Sequence, residues 1–277
     1  MKRLQFLLLF CLTNNLVFAQ NKAEFLPQGH LFEPLLLDPL EAQASASVLK
    51  RWEEGREVKG LFAPFTIGFR KPLVRWTRDA DHASELSLDL GAFTQFEIFE
   101  EAGKLRRLIY NTDYKISLFW SLKRNNHAWR FRFYHLSSHL GDDYVIRTGI
   151  VSYFPNAVNY EQFDALYSTQ LNQVRLYGGG GFVLSAAAKR ERAYLQAGTL
   201  WKSSGLDTRF VAGADLRLLA QTDYTPNLKA AIGVEVGKTE NRPIDLLIEF
   251  YTGKMPYSVY EQRRITWTGL GLYFNPF

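Results

Sequence analysis

A run near the middle of the 277-residue chain carries the residue types most able to do chemistry. It spans Tyr134 to Tyr144, reads YHLSSHLGDDY, and holds two histidines, two serines and two aspartates. Residues i and i+2 of a β-strand share a face, so a strand here would place the His135 imidazole beside the Ser137 hydroxyl. An imidazole so placed can accept the serine proton while the serine oxygen attacks an ester. The spacing predicts Ser137 as a nucleophile and His135 as its base.

The face on which this pair lies follows from its neighbours Arg130 and Arg132, which have the opposite parity. An arginine facing lipid at mid-membrane costs about 2–4 kcal/mol, so in a membrane barrel both should face the lumen. His135 and Ser137 then face outward, toward lipid, near the extracellular rim. A β-bulge between Arg132 and His135 would reverse this orientation.

Two other interpretations of the same run remain open. The histidine and serine follow three aromatic residues of the same face, so they can simply end an aromatic girdle, with Gly141 and Asp142 forming a turn. A metal site built from His135, His139 and Asp142 is disfavoured, because the strand would have to break before the three side chains could converge.

Segments in which apolar and polar residues alternate surround this run. The pattern is clearest at residues 207–219, 227–237 and 244–253, where charged side chains share one parity. It predicts a closed antiparallel transmembrane β-barrel over residues 43–277, with about twelve strands (range 10–14). Residues 100–111, 139–155 and 254–263 are predicted as long extracellular links. Residues 70–83 are predicted as a long link at the opposite end.

The chain ends on an amphipathic run, RRITWTGLGLYFNPF, whose last residue is Phe277. Pairing of this strand with the first strand would close the barrel and remove both sheet edges. The aromatic last residue resembles the assembly signal of Gram-negative outer-membrane barrels. That resemblance implies the barrel assembly machinery as a partner of Phe277.

The N-terminus has the features of an export signal. Lys2 and Arg3 precede an apolar stretch at residues 4–12, and residues 17–19 supply a small-residue cleavage pattern. We therefore predict a cleaved signal peptide at residues 1–19, an irregular periplasmic or plug segment at 20–42, and a location in the bacterial outer membrane. Cys11, the only cysteine, would leave with the signal, which excludes disulfides and thiolate metal sites.

Composition narrows the classes of partner. The chain has 47% hydrophobic and 15% aromatic residues, which suits a barrel with lipid-facing and lumen-facing sides. A net charge of +5 without a clustered basic face gives no reason to expect nucleic acid. The expected partners are outer-membrane lipid and lipopolysaccharide, whose phosphates the basic run at residues 104–107 could contact. Gly178 to Gly181 lacks the GK[ST] continuation of a phosphate loop.

Several runs resemble a bacterial family called domain of unknown function 1207. The most specific is YHLSSHLGDDY itself. FEPLLLDPLEA at residues 32–42, VRLYGGGGFVL at 174–184 and LGLYF at 270–274 extend the resemblance over most of the mature chain. The family name carries no activity, so the resemblance implies an outer-membrane barrel and no particular function.

A second resemblance is to outer-membrane acyl hydrolases, the phospholipase A and lipid A deacylase barrels. Some of these have a His-x-Ser pair on one strand, which His135-Leu136-Ser137 matches. They also carry a Glu or Asn about a dozen residues after the serine, whereas residues 147–150 here contain neither. Asp142 or Asp143, looping back, would then orient the histidine. The resemblance implies a lipid acyl ester as substrate and, if phospholipase-like, calcium. The alternative is a non-catalytic barrel: a narrow channel, an envelope-structural protein or a partner-binding protein.

Overall fold

The computed structural model of the chain describes residues 22–149, 158–205, 207–238, 243–257 and 260–274. The predicted signal peptide and the terminal Phe277 lie outside the described residues. Within them the chain is almost entirely β-sheet, with one short helix at Asp142–Thr148 and a single 3-10 turn at Ala220–Thr222. None of the helices in this part of the chain is long and apolar enough to cross a membrane.

Twelve strands close into an antiparallel barrel, which confirms the predicted fold class and strand number. Two short strands, β1 and β3, attach to this barrel. In chain order the elements are β1 (Lys22–Phe25), β2 (Ala44–Glu53), β3 (Arg56–Glu57), β4 (Leu61–Thr77), β5 (His82–Glu101), β6 (Lys104–Arg124), β7 (His127–Leu140), α1 (Asp142–Thr148), β8 (Asn159–Leu171), β9 (Val174–Ala186), β10 (Ala193–Lys202), β11 (Thr208–Leu219), β12 (Asn227–Val236), β13 (Ile244–Lys254) and β14 (Arg264–Phe274).

Closure occurs between the last strand and the first, as predicted. Strand β14 pairs with β2 from Ile265 opposite Glu53 to Phe274 opposite Ala44. Strand β2 in turn pairs with the first part of β4. The second part of β4 pairs instead with β1, so the segment predicted to be irregular begins with four residues of strand. These pairings leave no open edge between β14 and β4 over the length of β2.

Two of the predicted long links were wrong, because both are strand. Strands β5 and β6 meet at the two-residue turn Ala102–Gly103, and β4 continues to Thr77. Residues 104–107 of β6 are all exposed, so neither face of that hairpin tip is buried and the alternating pattern is lost there. In β4 a register shift between Pro72 and Val74 breaks the alternation.

The outer and inner faces of the barrel have opposite chemistry. Large apolar side chains project outward, and Ile67 is 70% exposed and Ile232 61%. Charged side chains fill the interior as pairs. Arg132 lies 2.7 Å from Asp164, and Lys229 lies 2.8 Å from Glu249. An apolar exterior over a charged, paired interior is typical of a barrel whose wall is immersed in lipid.

Residues 30–43 run through the interior of the barrel and form a plug. Phe32, Leu35 and Leu37 are each at most 2% exposed. Inward arginines hold the backbone of this segment: Arg175 donates to the carbonyl oxygens of Glu33 and Pro34, both at 2.8 Å. A side chain at residue 68 would clash with the plug backbone, since a Cβ there would lie 2.3 Å from the nitrogen of residue 43. Only glycine therefore fits where the plug leaves the lumen.

Candidate active site on the outer wall

Strand β7 presents the predicted pair on the outside of the barrel. Arg130 is 0% exposed and Arg132 is 3% exposed, and both face the interior. The pairing of β7 with β6 and with β8 runs without a register shift along the strand. The parity therefore holds from Arg130 to the end of β7, and His135 and Ser137 face outward with Phe131 and Phe133. The orientation is the predicted one.

The pair lies far from the turn that precedes β7. Residues 127–137 advance about 3.4 Å each along a strand tilted by about 40°, so Ser137 stands about 26 Å above the turn. The apolar band of such a barrel is about 25 Å tall. Ser137 is consequently at the edge of the band, at the end of the barrel that carries α1.

Glu161 on β8 is the residue that sequence reasoning missed. It lies directly opposite His135, and the His135 Nδ1 is 3.0 Å from the Glu161 Oε1. The two side chains are 37% and 34% exposed. A proton on Nδ1, donated to this carboxylate, leaves Nε2 free to accept a proton from a hydroxyl. Ser185 of β9 lies directly opposite Glu161 on its other side.

Glu161 carried one signal in the sequence. It has the same parity as Phe163, so the alternation predicts that the Glu161 carboxylate lies on the outward face of the strand. An ionisable group on a lipid-facing wall is costly and marks a functional site more often than a structural one. The position of Glu161 relative to His135 needed the register between β7 and β8, which the long connection at residues 141–158 does not fix.

Ser137 lies between Tyr114 of β6 and Asn159 of β8 in the same register row. Directly opposite residues have Cβ atoms about 4.5–5.5 Å apart, so the Asn159 amide is within reach of a group bound at Ser137. In the described part of the chain no hydrogen bond joins the Ser137 hydroxyl to His135. Such bonds are often long in enzymes without substrate and shorten when it binds.

Asp142 and Asp143 lie elsewhere, in the first turn of α1, where both are exposed. Helix α1 is held at the rim by other residues. The Tyr144 ring packs edge-on against Tyr110 at 4.6 Å, and Arg147 lies 3.1 Å from Glu101. Over the described ranges, neither aspartate hydrogen-bonds His135 or Ser137. Acidic groups there complement the positive end of the helix dipole.

His139 does not converge with His135 either. Its ring packs edge-on against Tyr114, with centroids 5.8 Å apart. Within the described residues no group of three or more His, Cys, Asp or Glu side chains is arranged to hold a metal ion. Strands β7 and β8 bring together four outward polar side chains: His135, Glu161, Ser137 and Asn159.

Fold and wall together define an outer-membrane-type β-barrel. The chain belongs to the family described as "Protein of unknown function (DUF1207)", whose model matches residues 6–275. The barrel is similar to the outer membrane phospholipase of Salmonella typhi, solved as a dimer with bound calcium. Identity is 13% over 88% of this chain and 95% of that chain, with a TM-score of 0.59.

Outer membrane phospholipase A of Escherichia coli is similar to the same degree. Identity is 13% over 90% of this chain and 95% of that chain, with a TM-score of 0.58. At this level of identity the likeness is one of fold. No curated protein matches the sequence.

Proposed function

We propose that the chain is an outer-membrane acyl hydrolase that cleaves ester bonds of lipids. In this proposal Ser137 is the nucleophile, His135 is the base and Glu161 is the positioning residue for the imidazole. The observation that carries the proposal is the contact between His135 and Glu161 on the outer wall. A histidine and a carboxylate cost free energy beside hydrocarbon. Burial of apolar side chains in a core does not account for them, because both are about a third exposed.

The chemistry follows the roles of these groups. His135 Nε2 takes the proton of the Ser137 hydroxyl as the oxygen forms a bond to the ester carbonyl carbon. The tetrahedral intermediate collapses, the lipid alcohol leaves, and His135 returns the proton to it. Water then attacks the acyl-serine by the same route and releases the fatty acid. Glu161 stays ionised and stabilises the imidazolium in both steps, while the Asn159 amide is placed to stabilise the oxyanion.

The location of the pair fits a lipid substrate. Ser137 sits at the edge of the apolar band, where the ester groups of a lipid lie between headgroup and acyl chains. The two structural neighbours named above are phospholipases, and they share the barrel. Their description as phospholipases supports ester hydrolysis by a barrel of this fold.

Calcium does not fit this site on one chain. Calcium takes six to eight oxygen ligands. Beside Ser137 the described residues offer the Asn159 amide and the Glu161 carboxylate, and that carboxylate already bonds His135. No step above uses calcium.

The plug bears on one of the non-catalytic alternatives, the narrow channel. Two cavities between the plug and the barrel wall measure about 40 Å³ and 10 Å³, room for a few water molecules at most. A third cavity of about 930 Å³ opens at the end opposite α1, between the plug and Arg175, Lys202, Glu235 and Asp245 of the wall. The plug fills the rest of the described lumen, which disfavours an open channel for solutes and leaves a charged vestibule at that end. An envelope-structural or partner-binding barrel is the remaining alternative.

Fatty-acid release from phospholipid and from lipid A by the detergent-purified protein tests the proposal. We expect Ser137→Ala and His135→Ala each to lower the rate by about 10³-fold or more. The matched control is Thr268→Ala, an exposed outward hydroxyl on β14, which should leave the rate unchanged. A wild-type protein that releases no fatty acid from either lipid, with calcium added or chelated, contradicts the proposal and favours the non-catalytic barrel.

A further inference from the structure

A shallow apolar recess lies on the outer wall beside the proposed catalytic pair. Its volume is about 410 Å³, and it spans β4, β5 and β6 with His135 at its end. The side chains around it are outward and apolar: Ile67, Phe69, Leu90, Ala92, Tyr114 and Ile116.

The register of the strands explains the recess. One row across the wall runs Ile67, Ala92, Tyr114 and the next runs Phe69, Leu90, Ile116. Ala92 is the small residue in these two rows, and it is half-buried among larger neighbours. The floor of the recess is therefore Ala92, together with the backbone at Gly91.

The recess is continuous with the catalytic row. Tyr114 lies directly opposite Ser137, and Ile116 lies directly opposite His135. Neighbouring strands are about 4.8 Å apart, so three steps from β7 to β4 give a path of about 14 Å that starts at Ser137. This path is open to the first apolar segment of an acyl chain whose ester is at Ser137.

We propose that the recess binds the acyl chain of the ester that Ser137 attacks, with Ala92 as the residue that makes room for it. This inference rests on the proposed function. The surrounding lipid is as apolar as the recess, so the hydrophobic effect does not favour an acyl chain in the recess over the same chain in the bilayer. The preference comes from dispersion contacts with walls on several sides, and its consequence is alignment of the ester rather than high affinity.

Substitution of the floor residue separates this inference from the proposed function. Ala92→Leu fills the recess with a side chain that an outward, lipid-facing position tolerates. We expect at least a tenfold fall in fatty-acid release from phospholipid, with hydrolysis of a water-soluble acetate ester unchanged. Ala230→Leu, an outward alanine on β12, is the matched control and should change neither rate. Equal phospholipid rates in Ala92→Leu and wild type would overturn the inference and leave the hydrolase proposal intact.

A binding measurement tests the recess without catalysis. Ser137→Ala protein in vesicles containing a phospholipid with a photoreactive acyl chain is irradiated, and the labelled peptides are identified by mass spectrometry. We expect several-fold more label on β4, β5 and β6 near Ala92 than on β11 and β12, and loss of that excess when Ala92→Leu is added. Label spread evenly around the barrel means annular lipid only, and it overturns the inference whether or not the wild type hydrolyses lipid.

Discussion

His135 and Glu161 face each other across β7 and β8, with Nδ1 3.0 Å from Oε1. The carboxylate belongs to the neighbouring strand, which begins only after the connection at residues 141–158. The contact engages Nδ1 of the imidazole and leaves Nε2 available to accept a proton. It is the feature of the outer wall that packing explains least.

Removal of the Glu161 carboxylate should slow the chemical step and not substrate binding. We expect Glu161→Ala to lower kcat by about 10²–10⁴-fold with KM little changed, because an unheld imidazole takes the wrong tautomer or orientation. Glu161→Asp should recover part of kcat. Steady-state rates on phospholipid measure both. A change in KM with kcat unchanged would assign Glu161 a structural role. The same conclusion would follow if Glu161→Ala and Glu161→Asp had equal kcat values.

Glu41 of the plug should be a main support of barrel stability. Arg130 and Arg70 approach its carboxylate at 2.9 and 3.0 Å, and Arg132 lies at 3.6 Å. Glu41→Gln leaves these buried cations without that anion, and we expect a loss of about 3–5 kcal/mol. Glu57→Gln breaks the exposed Lys50 pair at 3.2 Å and should cost less than about 1 kcal/mol. Urea unfolding of the detergent-folded protein, followed by gel mobility, compares the two. Similar midpoints would show that the plug is not held by charge.

Acid should weaken the plug through His30. Burial, aided by Arg70 and Arg75, lowers the pKa of His30 to about 3 from its usual 6.5. A folded-state pKa below the unfolded value means that the unfolded chain binds the proton first. The contribution of His30 to the free energy of unfolding is then complete above about pH 6.5. It falls by about 1.4 kcal/mol per pH unit as the pH drops toward 3.

The variant His30→Asn isolates this effect between pH 6.5 and 4.5. Glu41 contributes only at lower pH: burial would raise its pKa, but Arg130 and Arg70 hold that pKa well below its ordinary value. Other groups shift both profiles alike, so the unfolding midpoint of the wild type should fall relative to that of His30→Asn as the pH drops across this window. Parallel declines in both proteins would assign the acid sensitivity to other groups.

The outer wall should tolerate charge at its edge and not at its middle. Ile232 and Val236 both project outward from β12, at mid-strand and at the strand end. Arginine at a lipid-facing position costs about 2–4 kcal/mol at the bilayer midplane and about 0–1 kcal/mol near the interface. We expect Ile232→Arg to destabilise the vesicle-folded barrel by the larger amount and Val236→Arg by the smaller. Equal costs would argue that this wall does not face hydrocarbon.

The barrel was predictable because alternation with period two is a local signal. In each of the clear segments, such as residues 244–253, the alternation of apolar and charged residues predicts a strand. It also predicts which residues of that strand face inward. The same logic gave the orientation of His135 from Arg130, since a charged side chain in lipid is expensive. Alternation arises because one face of a strand is buried. The prediction failed at residues 104–107 because both faces of that hairpin are exposed.

The partner of His135 was out of reach for a different reason. A search along the sequence pointed to Asp142 and Asp143, which the structure places in α1. Glu161 becomes adjacent only through the register of β7 and β8, and the connection between those strands is too long to set a register by turn geometry. The alternation showed that Glu161 faces outward, but not which residue it meets.

Covalent labelling of Ser137 tests the central claim most directly. The detergent-folded protein is incubated with an alkyl fluorophosphonate, which reacts with activated serines, and the modified peptide is identified by mass spectrometry. The account predicts modification at Ser137 in the wild type, little in His135→Ala or Glu161→Ala, and unchanged modification in Thr268→Ala. An unmodified Ser137, or labelling that persists when His135 is removed, would contradict it.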